Sequence, residues 1–312
     1  MPTRRLGAEG PYVGPVGLGC MTLSLAYSES TRDDDMSAAV IHAALDHGVT
    51  FFDTADVYGD GHNEELVGRS LRGQRHEVTL ATKVGLVADD AGAHTLHRDG
   101  TPEHIEAAVD ASLRRLGDDT IDLYYLHRLD PTVPLEETWG AMTNLVEKGK
   151  VRWLGLSEVT ADVAARAHAI HPVTALQSEF SLWTRKPGAS VIDWCRENGA
   201  AFVPFAPLGR GFLTGAITAT ASSANSRVGN GRDPDASVAA NQRIVDVVRA
   251  IAGRHRATPA QIAIAWVLAQ GEHVIPIPGT KERRYLRENV GAAQVQLTPD
   301  DLADLCEELP RL

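Results

Sequence analysis

The sequence predicts an α/β chain closed into a single (β/α)8 barrel, and three observations lead there. Short, near-continuous apolar runs such as VTFF at 49–52, IDLYYL at 121–126 and AAFVPF at 200–205 alternate with stretches of helical periodicity. Strands that lack polar alternation belong to a parallel sheet covered on both faces. Eight strand–helix units can be traced, which favours a closed barrel over an open sheet. The length of 312 residues suits one such barrel, and no repeat or linker divides it, so 1–312 is expected to be one domain.

The elements follow in order. The first strand is expected at 15–19 (PVGLG), then a helix over 34–46 that ends near Gly48. VTFFD at 49–53 is the second strand, followed by a helix over about 63–71. EVTLATK at 77–83 is the third. The next helix is clearly marked: Thr101 caps it, Pro102 fits its first position, Ile105, Val109, Leu113 and Leu116 recur at helical spacing, and Gly117 ends it. IDLYYLH at 121–127 and VRWLGLS at 151–157 are the fourth and fifth strands, with helices over 135–148 and about 161–169 behind them. TALQS at 174–178 and AAFVPF at 200–205 are the sixth and seventh, separated by a helix over about 189–198. HVIPIP at 273–278 is the eighth. Before it come helices over 236–255 and 258–271, the second capped by Thr258 with Pro259 at its first position. The segment 217–237 is rich in Ser, Ala, Asn and Gly and is expected to be a long loop, of the kind that serves as a lid.

Composition narrows the function classes. The net charge is −11, from 30 basic and 41 acidic side chains, which argues against nucleic acid or an anionic membrane as partner. The three cysteines, Cys20, Cys195 and Cys306, lack any ligand or disulfide spacing, and a reducing cytoplasm fits them. The longest apolar helix, IAIAWVLA at 262–269, falls short of the ~20 residues a membrane span needs. The N-terminus has no signal-peptide core, and a monomer is the default expectation.

In a parallel barrel the reactive residues come from the C-terminal ends of different strands. Asp53 ends the second strand with Tyr58 just beyond it, Lys83 ends the third and His127 the fourth. Reducing a carbonyl takes a hydride on carbon and a proton on oxygen. Tyr58 offers the proton, Lys83 lowers the tyrosine pKa, Asp53 is the counter-ion a buried lysine requires, and His127 orients the carbonyl oxygen. Singly, Asp53 reads as a turn cap, Lys83 as a salt bridge, and His127 or Tyr58 as packing. Their joint placement on consecutive strand ends favours chemistry. Asp56, Asp60 and His62 read as turn and capping residues.

With these residues in view, the sequence closely resembles the aldo-keto reductase family of NADPH-dependent carbonyl reductases. The matching stretches are FFDTADVYGDGHNEELVGRSL at 51–71, ATKVG at 81–85, LYYLHRLDP at 123–131, then WLGLSEV, ALQSEFSLW, PFAPLGRGFLTG and IPIPGTKERRYLRENV. HRLDP, LSEVT and QSEFSLW look most like the branch with bacterial reductases and pyridoxal reductase. The resemblance implies that Asp53, Tyr58, Lys83 and His127 form the catalytic tetrad and that the substrate is a small carbonyl compound. It leaves an alternative of another class, an NADP(H)-binding sensing or auxiliary protein with slow turnover; a third reading is a barrel enzyme that uses its basic site for a phosphorylated substrate without hydride chemistry.

No G-x-G-x-x-G follows the first strand, so a nicotinamide cofactor is expected at the barrel mouth. Ser157 and Gln177, at the ends of strands five and six, suit the carboxamide, and Phe205, at the end of strand seven, suits stacking on the ring. Ala206, Pro207, Leu208, Gly209, Gly211 and Leu213 lie in the stretch expected to offer backbone donors to the pyrophosphate. The basic run PGTKERRYLREN at 278–289 sits where barrels bind phosphate. If its helix begins near Thr280, Lys281, Arg284 or Tyr285, and Glu288 share a face; the cations then clamp a 2′-phosphate, while Glu288 and Asn289 meet the adenine. The resemblance adds Gly19, Cys20, Met21, Asp53, Gly279 and Thr280 to the cofactor contacts. Glu158, Tyr285 and Ala216 depart from the residues common at their positions.

Overall fold

The computed structural model describes residues 2–24, 32–89, 95–185, 189–215 and 234–307. Seven parallel strands lie side by side in chain order. They are β1 (Leu18–Gly19), β2 (Phe51–Asp53), β3 (Thr79–Val84), β4 (Ile121–Leu126), β5 (Val151–Ser157), β6 (Ala175–Glu179) and β7 (Ala201–Phe205). The eighth position is filled differently from the expected strand at 273–278. Val274 forms a single parallel bridge to Phe202. Around it, Phe202 N–H donates to His273 O, Ile275 N–H to Phe202 O, and Ile277 N–H to Pro204 O, while Gly17 N–H donates to Pro276 O. The segment therefore touches both β7 and the residues leading into β1, and the (β/α)8 barrel closes. Pro276 and Pro278 explain why it is not a regular strand, since neither has an N–H for a ladder.

The helices that wrap the sheet are α1 (Asp34–Asp46), α2 (His62–Ser70), α3 (Pro102–Leu116), α4 (Leu135–Glu147), α5 (Ala161–His168), α6 (Ala189–Glu197), α7 (Pro234–His255), α8 (Pro259–Leu268), α9 (Arg283–Gly291) and α10 (Pro299–Glu307). The expected caps are in place. Thr101 accepts from His104 N–H and Gly117 takes φ 68° at the far end of α3. Thr258 and Gln261 form a reciprocal capping box on α8. Several boundaries differ from expectation, among them β1, reduced to Leu18–Gly19, and three others. β3 starts at Thr79, because 75–77 form a tight turn. α7 starts at Pro234, so 234–237 belong to a helix and not to the long loop. α9 starts at Arg283. The rest of the 217–237 loop, and Ala216, lie outside the described residues.

Strand parity divides the core in two. Phe51, Ala81, Leu123, Tyr125, Ala175, Ala201, Val203 and Ile275 fill the barrel interior, with Leu6 and Val13 of an N-terminal hairpin in the same cluster. Phe52, Leu80, Tyr124, Leu154, Leu156, Leu176 and Phe202 face the helices. A period of two then sends Asp53, Ser157 and Phe205 inward at the last positions of their strands, Lys83 one residue before the end of β3 and Gln177 two before the end of β6. His127 follows Tyr125 by two residues and continues that inner row. Among the described residues, no helix is long and apolar enough to cross a membrane.

Candidate active site

The inward-facing strand ends meet around Lys83, which is 0% exposed. Its Nζ donates to Asp53 Oδ1 at 2.5 Å, to the Thr54 carbonyl at 2.7 Å and to Tyr58 Oη at 3.2 Å. Gln177 Nε2 donates to the other carboxylate oxygen of Asp53 at 2.7 Å. The His127 ring stands edge-on to Tyr58, with centroids 5.8 Å apart. All four residues chosen from the strand ends are therefore in one cluster. The turn Asp53–Tyr58 is fixed by its own backbone: Thr54 N–H donates to Ala81 O, Asp56 N–H to Lys83 O and Tyr58 N–H to Ala55 O.

The electrostatics correct one expectation. Burial raises the Tyr58 phenol above its usual pKa, outweighing the pull of Lys83, and the Asp53 charge adds to the rise. The expected lowering is thus not met, and Tyr58 is a protonated phenol at neutral pH. Burial by itself would lower the Lys83 ammonium, but the Asp53 carboxylate and Tyr58 outweigh it and hold its pKa above the usual value. Burial, with the Lys83 and Arg128 charges, pushes His127 well below the ordinary imidazole range, so the ring is neutral. His127 Nδ1 is buried without a partner. That favours the tautomer with the proton on Nε2, because an orphaned acceptor leaves no buried N–H unsatisfied.

The neighbouring residues are placed as follows. Asp56 accepts from Val57 N–H and behaves as a turn residue, but burial and the nearby Glu64 charge raise its carboxyl to about 8. Asp60 takes φ 54° in the same turn. His62 opens α2, and its ring contacts Ser24 and Asp34 as a tie to α1.

The expected cofactor residues divide into four groups. Phe205 is half-buried at the mouth, and Ser157 and Gln177 are buried below it. In the second group, three of the amides already have partners. Gly209 N–H donates to Ala206 O, and the Gly211 and Leu213 amides both donate to Leu208 O, so the turn itself consumes those donors. Ala206 and Pro207 lead into that turn, and Ala206 takes φ 50°. The third group is the basic run. Thr280 Oγ1 accepts from Glu282 N–H, which holds a turn and delays the helix to Arg283. Lys281 consequently precedes the helix and does not share a helical face with Arg284 and Glu288, as a start at Thr280 would have required. Arg284 pairs with Glu288 at 3.1 Å, Tyr285 is half-exposed, and Asn289 is buried. The amides of Gly279 and Thr280 meet no acceptor among the described residues. At β1, Gly19 lies so close to the eighth segment that a Cβ there would meet Ile277 O at 2.7 Å. Cys20 has its thiol buried and its amide on Asp53 O, and Met21 is exposed.

Two residues of the site, Thr54 and Arg128, were not anticipated. The Thr54 carbonyl is a second acceptor for Lys83. Arg128 Nη1 donates to the His127 carbonyl at 2.6 Å and to Ser157 Oγ at 3.0 Å. The signal for Arg128 was its place directly after the strand-end histidine.

The comparisons with known proteins agree with this geometry. Residues 15–309 match the model of the aldo/keto reductase family. The chain belongs to that family. It is 43% identical over 308 residues to a probable aldo-keto reductase 1 of Glycine max, covering 98% of this chain and 88% of the relative. Among solved structures, a glycerol dehydrogenase from Gluconobacter oxydans superposes with a TM-score of 0.89 at 28% identity, covering 98% of this chain and 94% of the other. The holo form of an aldo-keto reductase from Bacillus halodurans superposes at 0.81 and 26% identity, covering 99% and 97%. As an aldo/keto reductase, the chain is an oxidoreductase of carbonyl groups.

Proposed function

We propose that this reductase converts a small aldehyde or ketone to the alcohol with NADPH as reductant, and that Tyr58 delivers the proton. The observation that carries the reading is the buried Asp53–Lys83–Tyr58 chain of hydrogen bonds with a neutral His127 edge-on to the phenol. The cofactor supplies a hydride to the carbonyl carbon. The other parts belong to the protein. His127 Nε2–H holds the carbonyl oxygen beside Tyr58 Oη. The phenol gives its proton to that oxygen, and the tyrosinate left behind is stabilised by the Lys83 ammonium 3.2 Å away. Asp53, fixed by Lys83 and Gln177, holds the ammonium at the phenol and keeps it charged.

The residues at the mouth fit a nicotinamide dinucleotide. Arg128 donates into Ser157 Oγ, which frees the Ser157 O–H to donate to a carboxamide oxygen. The half-buried Phe205 ring offers a stacking face. The unpartnered Gly279 and Thr280 amides, with Lys281 next in sequence, suit a phosphate. The preference for NADPH over NADH rests on Lys281 and Arg284.

The test is NADPH oxidation by wild type and Tyr58→Phe against a panel of aldehydes, dicarbonyls, pyridoxal and sugar aldehydes. Wild-type turnover that drops about 10²–10⁴-fold in the variant is the expected result. Turnover that survives the loss of the hydroxyl would remove Tyr58 from the acid role.

A further inference from the structure

We propose that Arg128 anchors a carboxylate on the substrate, so that this reductase prefers carbonyl compounds carrying an acid group over neutral aldehydes of the same shape. The proposal rests on the carbonyl-reductase reading above and deepens it. Arg128 stands directly after His127 at the end of β4. Its Nη1 is spent on two neutral acceptors, the His127 carbonyl and Ser157 Oγ. Among the described residues, no carboxylate lies within ion-pair distance of it.

Among the described residues, half-buried guanidiniums differ in what they meet. Arg32, away from the tetrad strand ends in sequence, donates to the Ser24 carbonyl. Arg75 is similarly buried and meets Asp118 and Asp122, and Arg115 meets Glu64. Arg4 also has only carbonyl acceptors, Leu268, Gly271 and Val274, but Leu268 is the last residue of α8, where the helix dipole supplies negative charge. Arg128 ends no such helix; the Glu158 charge acts on it from beyond ion-pair distance and does not offset its burial. The acidic side chains nearest in sequence and space are engaged elsewhere: Glu158 accepts from Glu179 N–H, and Asp130 from Gly100 N–H and Thr132. A partly desolvated cation of this kind is completed by an anion.

The same rim holds a second arginine. Arg98, in the hairpin after β3, donates to Leu129 O and lies close enough for its charge to act on Arg128. The Arg128 bonds to the His127 carbonyl and to Ser157 Oγ place its guanidinium on the rim beside the tetrad, where its charge acts on both Tyr58 and His127. Nε and Nη2 form the fork that takes a carboxylate through two charge-assisted hydrogen bonds. The cofactor phosphates are not the natural occupant. With eight positions around the barrel, the end of β4 lies across the mouth from the 279–281 segment, and the carboxamide near Ser157 is neutral.

Wild type, Arg128→Gln and Arg128→Lys are assayed with NADPH on 4-formylbenzoate and 4-methylbenzaldehyde, which share ring and aldehyde. Benzoate and benzyl alcohol are titrated calorimetrically into the same proteins, a readout that needs no turnover. Wild type is expected to favour formylbenzoate through KM. The ratio of kcat/KM for the two substrates falls about 10- to 100-fold in Arg128→Gln, the range of a charge-assisted hydrogen-bonded pair. Arg128→Lys keeps part of the preference. Benzoate affinity falls in parallel, while benzyl alcohol binding does not follow it. An equal substrate ratio in wild type and Arg128→Gln, or benzoate binding that is absent or indifferent to the substitution, overturns the proposal. If no aldehyde turns over but benzoate binding still depends on Arg128, the reductase reading fails and the anion site stands. If neutral aldehydes turn over with no Arg128-dependent preference, the reverse holds. Should the glutamine variant not fold, the lysine variant and the salt dependence of the wild-type KM for formylbenzoate decide the matter.

Discussion

On one side of the barrel mouth, Asp53, Lys83 and Tyr58 are sealed from solvent and bonded to one another. After the eighth barrel position, Arg283, Arg284 and Arg287 stand exposed on a helix. Both sides carry charges that the sequence displays plainly, but burial separates them. A charge removed from water has to be paired, so the identities and spacing of Asp53 and Lys83 constrain the arrangement almost completely. A charge left in water is screened and adopts many geometries at little cost. Substitutions should therefore cost much stability on the sealed side and little on the exposed side.

The largest effect is expected at Lys83. Lys83→Met leaves the Asp53 carboxylate buried beside Gln177 alone, and the protein should lose about 3–5 kcal/mol in urea unfolding. The double variant Asp53→Asn, Lys83→Met removes both charges and should recover most of that loss while remaining inactive. A single variant as stable as wild type would abolish the distinction between the two sides.

Asp56 sharpens the boundary of the sealed side. Its carboxyl is raised to about 8, first by burial and then by Glu64. In the unfolded chain it titrates near the usual carboxylate pKa of ~3.9. Between those values the folded state binds the extra proton, so stability declines as pH rises through that window. Unfolding curves collected from acid to mildly alkaline pH should show wild type losing ground against Asp56→Asn as pH approaches 8. Parallel curves would place Asp56 with the exposed, screened groups instead.

A smaller cost is expected from a neutral partner of the same cluster. Gln177→Leu removes the donor to Asp53 Oδ2, leaving that oxygen unsatisfied, at about 1–3 kcal/mol. Thermal unfolding measures it, and the loss should stay below that of Lys83→Met.

The same contrast decides what could be read from sequence. The barrel was legible because buried strands show as apolar runs, and the tetrad because parity and strand ends put Asp53, Lys83 and His127 on one inner rim. The eighth strand was legible in position but not in form, since Pro276 and Pro278 remove its ladder donors while leaving its acceptors. Gly209 and Gly211 suggested open amides, yet the turn they permit folds back and uses them. Thr280 looked like a helix start, but its hydroxyl serves the Glu282 amide and moves the start to Arg283. Arg128 was overlooked because an arginine past a strand end reads as surface. Its place directly after His127 was the one signal in the sequence; its neutral acceptors and the lack of a carboxylate within ion-pair distance are visible only with coordinates.

The smallest effect on stability belongs to the exposed side. Arg284 pairs with Glu288 in water, and such a pair contributes ~0–1 kcal/mol, so Arg284→Ala should unfold almost with wild type. Its effect should surface in cofactor choice instead. If Lys281 and Arg284 hold a 2′-phosphate, the Lys281→Ala, Arg284→Ala variant should raise KM for NADPH and leave KM for NADH nearly unchanged. Added salt should shrink the wild-type preference for NADPH, because exposed charges are screened within about 10 Å at 0.1 M. Steady-state kinetics with both cofactors at two salt concentrations measures this. A preference for NADPH that resists both the substitutions and salt would mean that a buried contact selects the cofactor, and the exposed side would then have a sealed element of its own.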